Sequence, residues 1–222
     1  MVQIIVINSI NNNSGKSLLA AHLAVMLAKD YKVMVADEQT KSKISDFVAL
    51  RHMLNLSKNY NLPVFSYQTL NKQSFSQIEN FDVVILDSPN STYFPHADVF
   101  ITPLAGQEGL NSLKEKNSLY ASLIWEAKKQ RAALGRNTFR WVIIPNDTYT
   151  DADYAILNES GRFLGFSLAP HLTNRPEFDA GLKSGITVID KDMPKLKTLF
   201  DLPDLYARRD LKKLTDFIWQ NK

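Results

Sequence analysis

The chain has 222 residues, 45% of them hydrophobic and 22% charged, with a net charge of +3 and no cysteine. That is the composition of one sizeable globular α/β domain spanning residues 1–222. It excludes a disulfide scaffold and thiolate metal sites, and it gives no transmembrane-length apolar run and no signal peptide, so the expected location is cytoplasmic. The charge is too small to announce nucleic-acid binding but permits a local basic patch.

Val2–Ile7 is a nearly continuous β-branched run and predicts a buried strand. Ser9-Ile10-Asn11-Asn12-Asn13-Ser14-Gly15-Lys16-Ser17 follows, and a helical pattern from about Gly15 to Lys29 comes next. Strand, tight loop, helix is the context of a phosphate-binding loop: backbone N–H groups and the helix dipole favour an anion at the helix N-terminus. Gly15 lets the backbone approach phosphates, Lys16 supplies a point charge to the terminal phosphates, and the Ser17 hydroxyl is placed to ligate Mg²⁺. The motif is incomplete, because Ile10 stands where the standard pattern has its first glycine. Asn tolerates positive φ better than other non-glycine residues, so Asn11, Asn12 and Asn13 are compatible with the loop's shape.

Lys32–Ala36 predicts a second strand ending at Asp37-Glu38-Gln39, which reads either as a Mg²⁺ or water site or as a solvated strand end. Ile44–Leu56 has helical spacing, Pro63–Tyr67 reads as a short strand or an extended edge, and Ser74–Asn80 as a brief helix or turn. Val83-Val84-Ile85-Leu86-Asp87 has the pattern of a Walker B strand, whose Asp holds Mg²⁺. Val99–Pro103 is a further strand, followed by one long helical region over Leu110–Leu134 with a solvated basic face at Lys128-Lys129-Gln130-Arg131. Arg140–Pro145 predicts a strand ending at Asn146, Ala152–Leu164 a helix, Phe166–Leu168 a strand, Glu177–Lys183 a short helix and Leu205–Gln220 an amphipathic C-terminal helix. Strands and helices alternate throughout. The expected fold is therefore a single-domain, P-loop NTPase-like three-layer sandwich, a mostly parallel sheet with helices on both faces. Ligands in such sheets bind at the carboxyl ends of the strands, and Gly15, Asp37, Asp87 and Asn146 all fall there.

On these residues the chain resembles the ParA/MinD class of deviant-Walker ATPases. The N-terminal half matches in element order, from Gly15-Lys16-Ser17 and the strand ending at Asp37 to Phe81–Pro89 and Ala97–Pro103. Within the class it is most similar to the MipZ branch of division-site positioning proteins, through Ser118-Leu119-Tyr120, Trp125–Arg131, Trp141–Asn146 and Gly185–Asp190. The resemblance implies ATP and Mg²⁺ as cofactors, with residues 11–17 cradling phosphate, Ser17 and Asp87 holding metal, and Asn146 reading adenine. It also implies a nucleotide-dependent homodimer, nonspecific DNA binding, a ParB-like partner and an FtsZ-like partner. Arg162, Arg175 and Lys183 are the candidates for a DNA-facing surface, each one alternatively a solvated charge.

The departures bear on mechanism. The family's cross-dimer Lys falls at Asn11, its two loop glycines at Asn12 and Asn13, and its second strand-end acid at Gln39. Gln can orient a water but is no carboxylate base. The catalytic set implied is Lys16, Asp37 and Gln39, with slow or lost hydrolysis in a chromosome or plasmid partitioning or division-site positioning protein. The alternative is a pseudo-ATPase scaffold that binds protein partners without nucleotide. A metabolic P-loop synthetase ranks below both, since His22, His52, His96 and His171 are scattered and make no ligand spacing.

Overall fold

A computed structural model describes residues 2–9, 14–38, 42–71, 75–88, 91–114, 119–146, 149–192, 196 and 201–220. The strands are β1 (Gln3–Ile7), β2 (Val33–Asp37), β3 (Ser66–Thr69), β4 (Val83–Asp87), β5 (Val99–Leu104), β6 (Arg140–Pro145) and β7 (Phe166–Leu168). They form one seven-stranded sheet in the order β3-β2-β4-β1-β5-β6-β7, and the described pairings are all parallel. Burial on both faces explains the unbroken apolar runs that made β1, β4 and β6 legible in sequence.

The helices are α1 (Lys16–Leu27), α2 (Lys43–Lys58), α3 (Gly106–Lys114), α4 (Leu119–Ala133), α5 (Asp151–Leu164), α6 (Pro176–Ser184) and α7 (Leu202–Gln220). Alternate strand residues face opposite ways, and each face is roofed by its own helices. Ile5, Ile7, Val35, Ile85 and Ile144 pack with Leu19 and Leu23 of α1, Phe47 of α2, Phe178 and Leu182 of α6, and Leu211, Leu214 and Ile218 of α7. Val6, Met34, Leu86, Phe100 and Trp141 pack with Leu110 of α3, Ile124 of α4, and Leu157 and Leu164 of α5. Helix α1 is buried almost all round, which its Ala- and Leu-rich sequence requires of a helix with no polar face.

Two expectations are corrected. Among the described residues, the helical region expected over Leu110–Leu134 comprises α3, which starts earlier at Gly106, and α4, from Leu119. Arg131 is not on a solvated face: it is buried, donates to the carbonyls of Pro95 and Asn137, and pairs with Asp98 at 2.6 Å. Lys128 is also drawn inward, its ammonium 5.7 Å from the Phe139 ring and 5.8 Å from the Trp141 ring. A run of charged letters shows no sign that one of them closes a loop beneath it.

A second buried ion pair joins distant segments. The Arg51 guanidinium donates to both oxygens of Asp190, at 2.7 and 3.0 Å, and to the carbonyls of Pro63 and Gly185. Asp190 also accepts from the Thr187 amide and hydroxyl. The stretch after α6 is thus bolted to α2 beneath the first face.

Candidate functional site

The parallel register brings the strand ends level: Ile7 lies beside Asp87, and Asp87 beside Asp37. Both Asp residues share the facing of Val35 and Ile85, toward α1. The chain turns from the β2 side to the β5 side of β1, so the loop after β1 emerges at the point where strand order reverses, the usual place for a ligand crevice. A cleft of about 930 Å³ opens there, lined by Ser14, Gly15, Lys16, Ser17, Asp37, Glu38, Ser42, Lys43, Asp87 and Asn146, with Leu172, Phe178 and Leu182 forming an apolar end.

Gly15 caps α1 in the left-handed conformation, φ 86°, where a side chain is strained. A Cβ there would come within 2.9 Å of Asn146 Nδ2. Asn146 follows β6 and donates from Nδ2 to the Ser14 carbonyl at 2.6 Å. The residue expected at the adenine is thereby brought against the loop itself.

Ser17 Oγ donates to Asp87 Oδ2 at 2.6 Å. Burial pushes the Asp87 carboxyl above its ordinary range; the Ser17 hydrogen bond and the Lys16 charge oppose that, and the Asp37 charge adds to it. A desolvated carboxylate beside a second one is a place where a cation relieves both. Ser17 and Asp87 offer hard oxygen donors, so they fit Mg²⁺, which is commonly held by one or two carboxylates together with phosphates. Among the described residues no three His, Cys, Asp or Glu side chains gather into an all-protein metal site.

Asp37 has partners that sequence reasoning missed. Tyr67 Oη, on β3, donates to Asp37 Oδ1 at 2.9 Å and lies 3.2 Å from Ser42 Oγ. Ser42 caps α2 in a reciprocal box with Ser45. Burial first, then the bond to Asp37 and its charge, push the Tyr67 phenol up to about 12, against the Ser42 bond, so it stays protonated and a donor. Next to this, Glu38 accepts from the Ser88 hydroxyl, and the Ser88 carbonyl accepts from Asn8 Nδ2 at 2.9 Å. No motif announces Tyr67: its contact appears only once β3 is known to lie beside β2.

Among the sequence-predicted residues, Ser14, Gly15, Lys16, Ser17, Asp37, Asp87 and Asn146 all meet in the one cleft. Asn11, Asn12, Asn13 and Gln39 lie outside the described residues. Arg162, Arg175 and Lys183 are not brought together. Arg162 is on α5, over one face of the sheet, whereas Arg175 precedes α6 and Lys183 lies on it, over the other. Arg175 is tied to Asp210 of α7 at 3.0 Å, and Lys183 pairs with Asp179 along its own helix. No helix of the described residues is long and apolar enough to cross a membrane.

The fold and its cleft place the chain in the ParA/MinD class of deviant-Walker P-loop proteins. Residues 80–218, more than half of the chain, match the family model for ATPase MipZ, and the chain belongs to that family. Solved structures of like fold include McdA from Cyanothece (TM-score 0.58, 17% identity, 95% of this chain and 100% of that one). A plasmid partition protein from Borrelia burgdorferi bound to AMPPNP is similar over 99% of this chain and 100% of its own (TM-score 0.60, 15% identity). So is the septum site-determining protein MinD complexed with Mg-ADP from Pyrococcus horikoshii, over 99% and 97% (TM-score 0.60, 15% identity). At such identities the likeness is one of fold. No curated protein matches the chain.

Proposed function

We propose that the chain binds ATP with Mg²⁺ in the cleft and acts as a nucleotide-switched partition or positioning protein that dimerises on ATP and turns it over slowly. The observation that carries this reading is the Ser17–Asp87 hydrogen bond at 2.6 Å, set beside Lys16 and the left-handed Gly15 at the N-terminus of α1. Gly15 and the α1 amides bind phosphate, and Lys16 neutralises it. Ser17 and Asp87 hold the metal, which supplies further charge neutralisation on the phosphates. Asp37 orients water at the same edge, and Gln39 aligns it without accepting its proton, so turnover is slow. Support comes from family membership and from relatives of like fold that hold AMPPNP and Mg-ADP. Equilibrium binding and steady-state turnover of ATP test the reading: micromolar affinity with turnover well below one per second is expected, and fast hydrolysis by the protein alone contradicts it.

One observation favours a second reading, a scaffold that binds proteins without nucleotide. The Asn146 amide, the group expected to read the base, is already engaged with the Ser14 carbonyl. In that case Asn146→Ala leaves ATP affinity as absent as before; in the first reading the wild type binds and the variant binds more weakly.

A further inference from the structure

Resting on the nucleotide reading, we infer that Tyr67 is the positioning residue for Asp37, fixing its carboxylate toward the bound Mg²⁺–phosphate group through a one-way chain of hydrogen bonds from the N-terminus of α2. The direction of the chain follows from its chemistry. A carboxylate oxygen accepts, so the Tyr67 hydroxyl donates to Asp37 Oδ1, at 2.9 Å. That donation uses the only phenolic hydrogen, so Ser42 Oγ, 3.2 Å away, is the donor to Tyr67 Oη. Ser42 Oγ in turn accepts from the Ser45 amide at 3.2 Å. Every link polarises the next toward the carboxylate.

The geometry gives Tyr67 this task. Its backbone lies beside Val35 on β2, two residues before Asp37 and on the same face. The ring packs against the apolar core of that face, which fixes where the hydroxyl stands. The hydroxyl meets one side chain from the end of β2 and one from the start of α2. It therefore sets both the rotamer of Asp37 and the distance of the α2 N-terminus from the cleft. Asp37 and Asp87 are register neighbours, so a turn of the Asp37 carboxylate alters the field at the metal-holding pair directly.

Tyr67→Phe tests this, because it keeps the ring and removes only the oxygen. ATP affinity is measured by calorimetry on wild type and variant, once with Mg²⁺ and once with EDTA, alongside the melting temperature. The expected result is a loss of about fivefold in affinity with Mg²⁺, the scale of one ordinary hydrogen bond, and no change with EDTA. Adding Asp37→Asn to both the wild type and the Tyr67→Phe variant is expected to erase the difference between them. Equal losses with Mg²⁺ and EDTA, or none, overturn the positioning role while leaving the nucleotide reading standing. A wild type that binds no ATP in either buffer overturns both.

Discussion

Ser17 and Asp87, seventy positions apart in the chain, share a hydrogen bond of 2.6 Å. It exists because β1 and β4 are register neighbours and because Gly15 turns the chain from β1 into α1. The bond holds together the two groups suited to a divalent cation, at the cost of burying a carboxylate beside another.

That cost is measurable. The folded state raises the Asp87 pKa, chiefly by burial, so it binds the proton more readily than the unfolded chain does. Stability from this group is therefore fully present at low pH and is lost as pH rises through the folded-state value. Asp87→Asn removes the charge and keeps an acceptor for Ser17. In EDTA at neutral pH the variant is expected to melt higher than wild type, and with Mg²⁺ it loses ATP affinity. A lower melting temperature would count against a strained metal site.

His22 gives a pH dependence of the opposite sense. Its Nδ1 lies 2.9 Å from the Leu18 carbonyl, and Nε2 is buried without a partner. Burial lowers its pKa to about 4; the Leu18 bond and the Asp190 charge resist, and the Arg51 charge assists. The folded state thus favours neutral imidazole, so this contribution is intact above the ordinary value of about 6.5 and lost as pH falls toward 4. The loss is on the order of 3 kcal/mol at pH 4. His22→Leu is expected to flatten the stability curve between those limits. Urea titrations at several pH values check it, and parallel curves for the two proteins refute it.

Arg51 and Asp190 are both about 1% exposed. Arg51→Met leaves the Asp190 carboxylate buried with only the Thr187 donors, and is expected to lose about 3–5 kcal/mol of stability. Equilibrium unfolding in urea reads this directly, and a loss below about 1 kcal/mol would show that the pair is not what anchors the stretch after α6 to α2.

Much of the fold was legible in the sequence because a doubly covered parallel sheet writes its strands as apolar runs. The β1, β4 and β6 runs are complete to within a residue, and the acids that end β2 and β4 were visible as candidates at one edge. Long-range polar partnership was not legible. Nothing local distinguishes Arg131, which is buried on Asp98, from Lys129 two residues before it, or assigns Tyr67 to Asp37 across thirty positions. Those pairings depend on which strands and helices become neighbours, and strand order is set by the whole sheet. Arg175 shows the same limit: its sequence context suggested a free surface charge, and its position beside α7 turns it to Asp210.

Calorimetric titration with ATP and Mg²⁺ answers most directly whether the cleft takes nucleotide. Micromolar binding is expected, and Lys16→Ala is expected to abolish it by removing the nearest positive charge from the phosphates. No heat of binding in the wild type, or equal affinity in Lys16→Ala, would contradict the account and leave a fold kept for its surfaces.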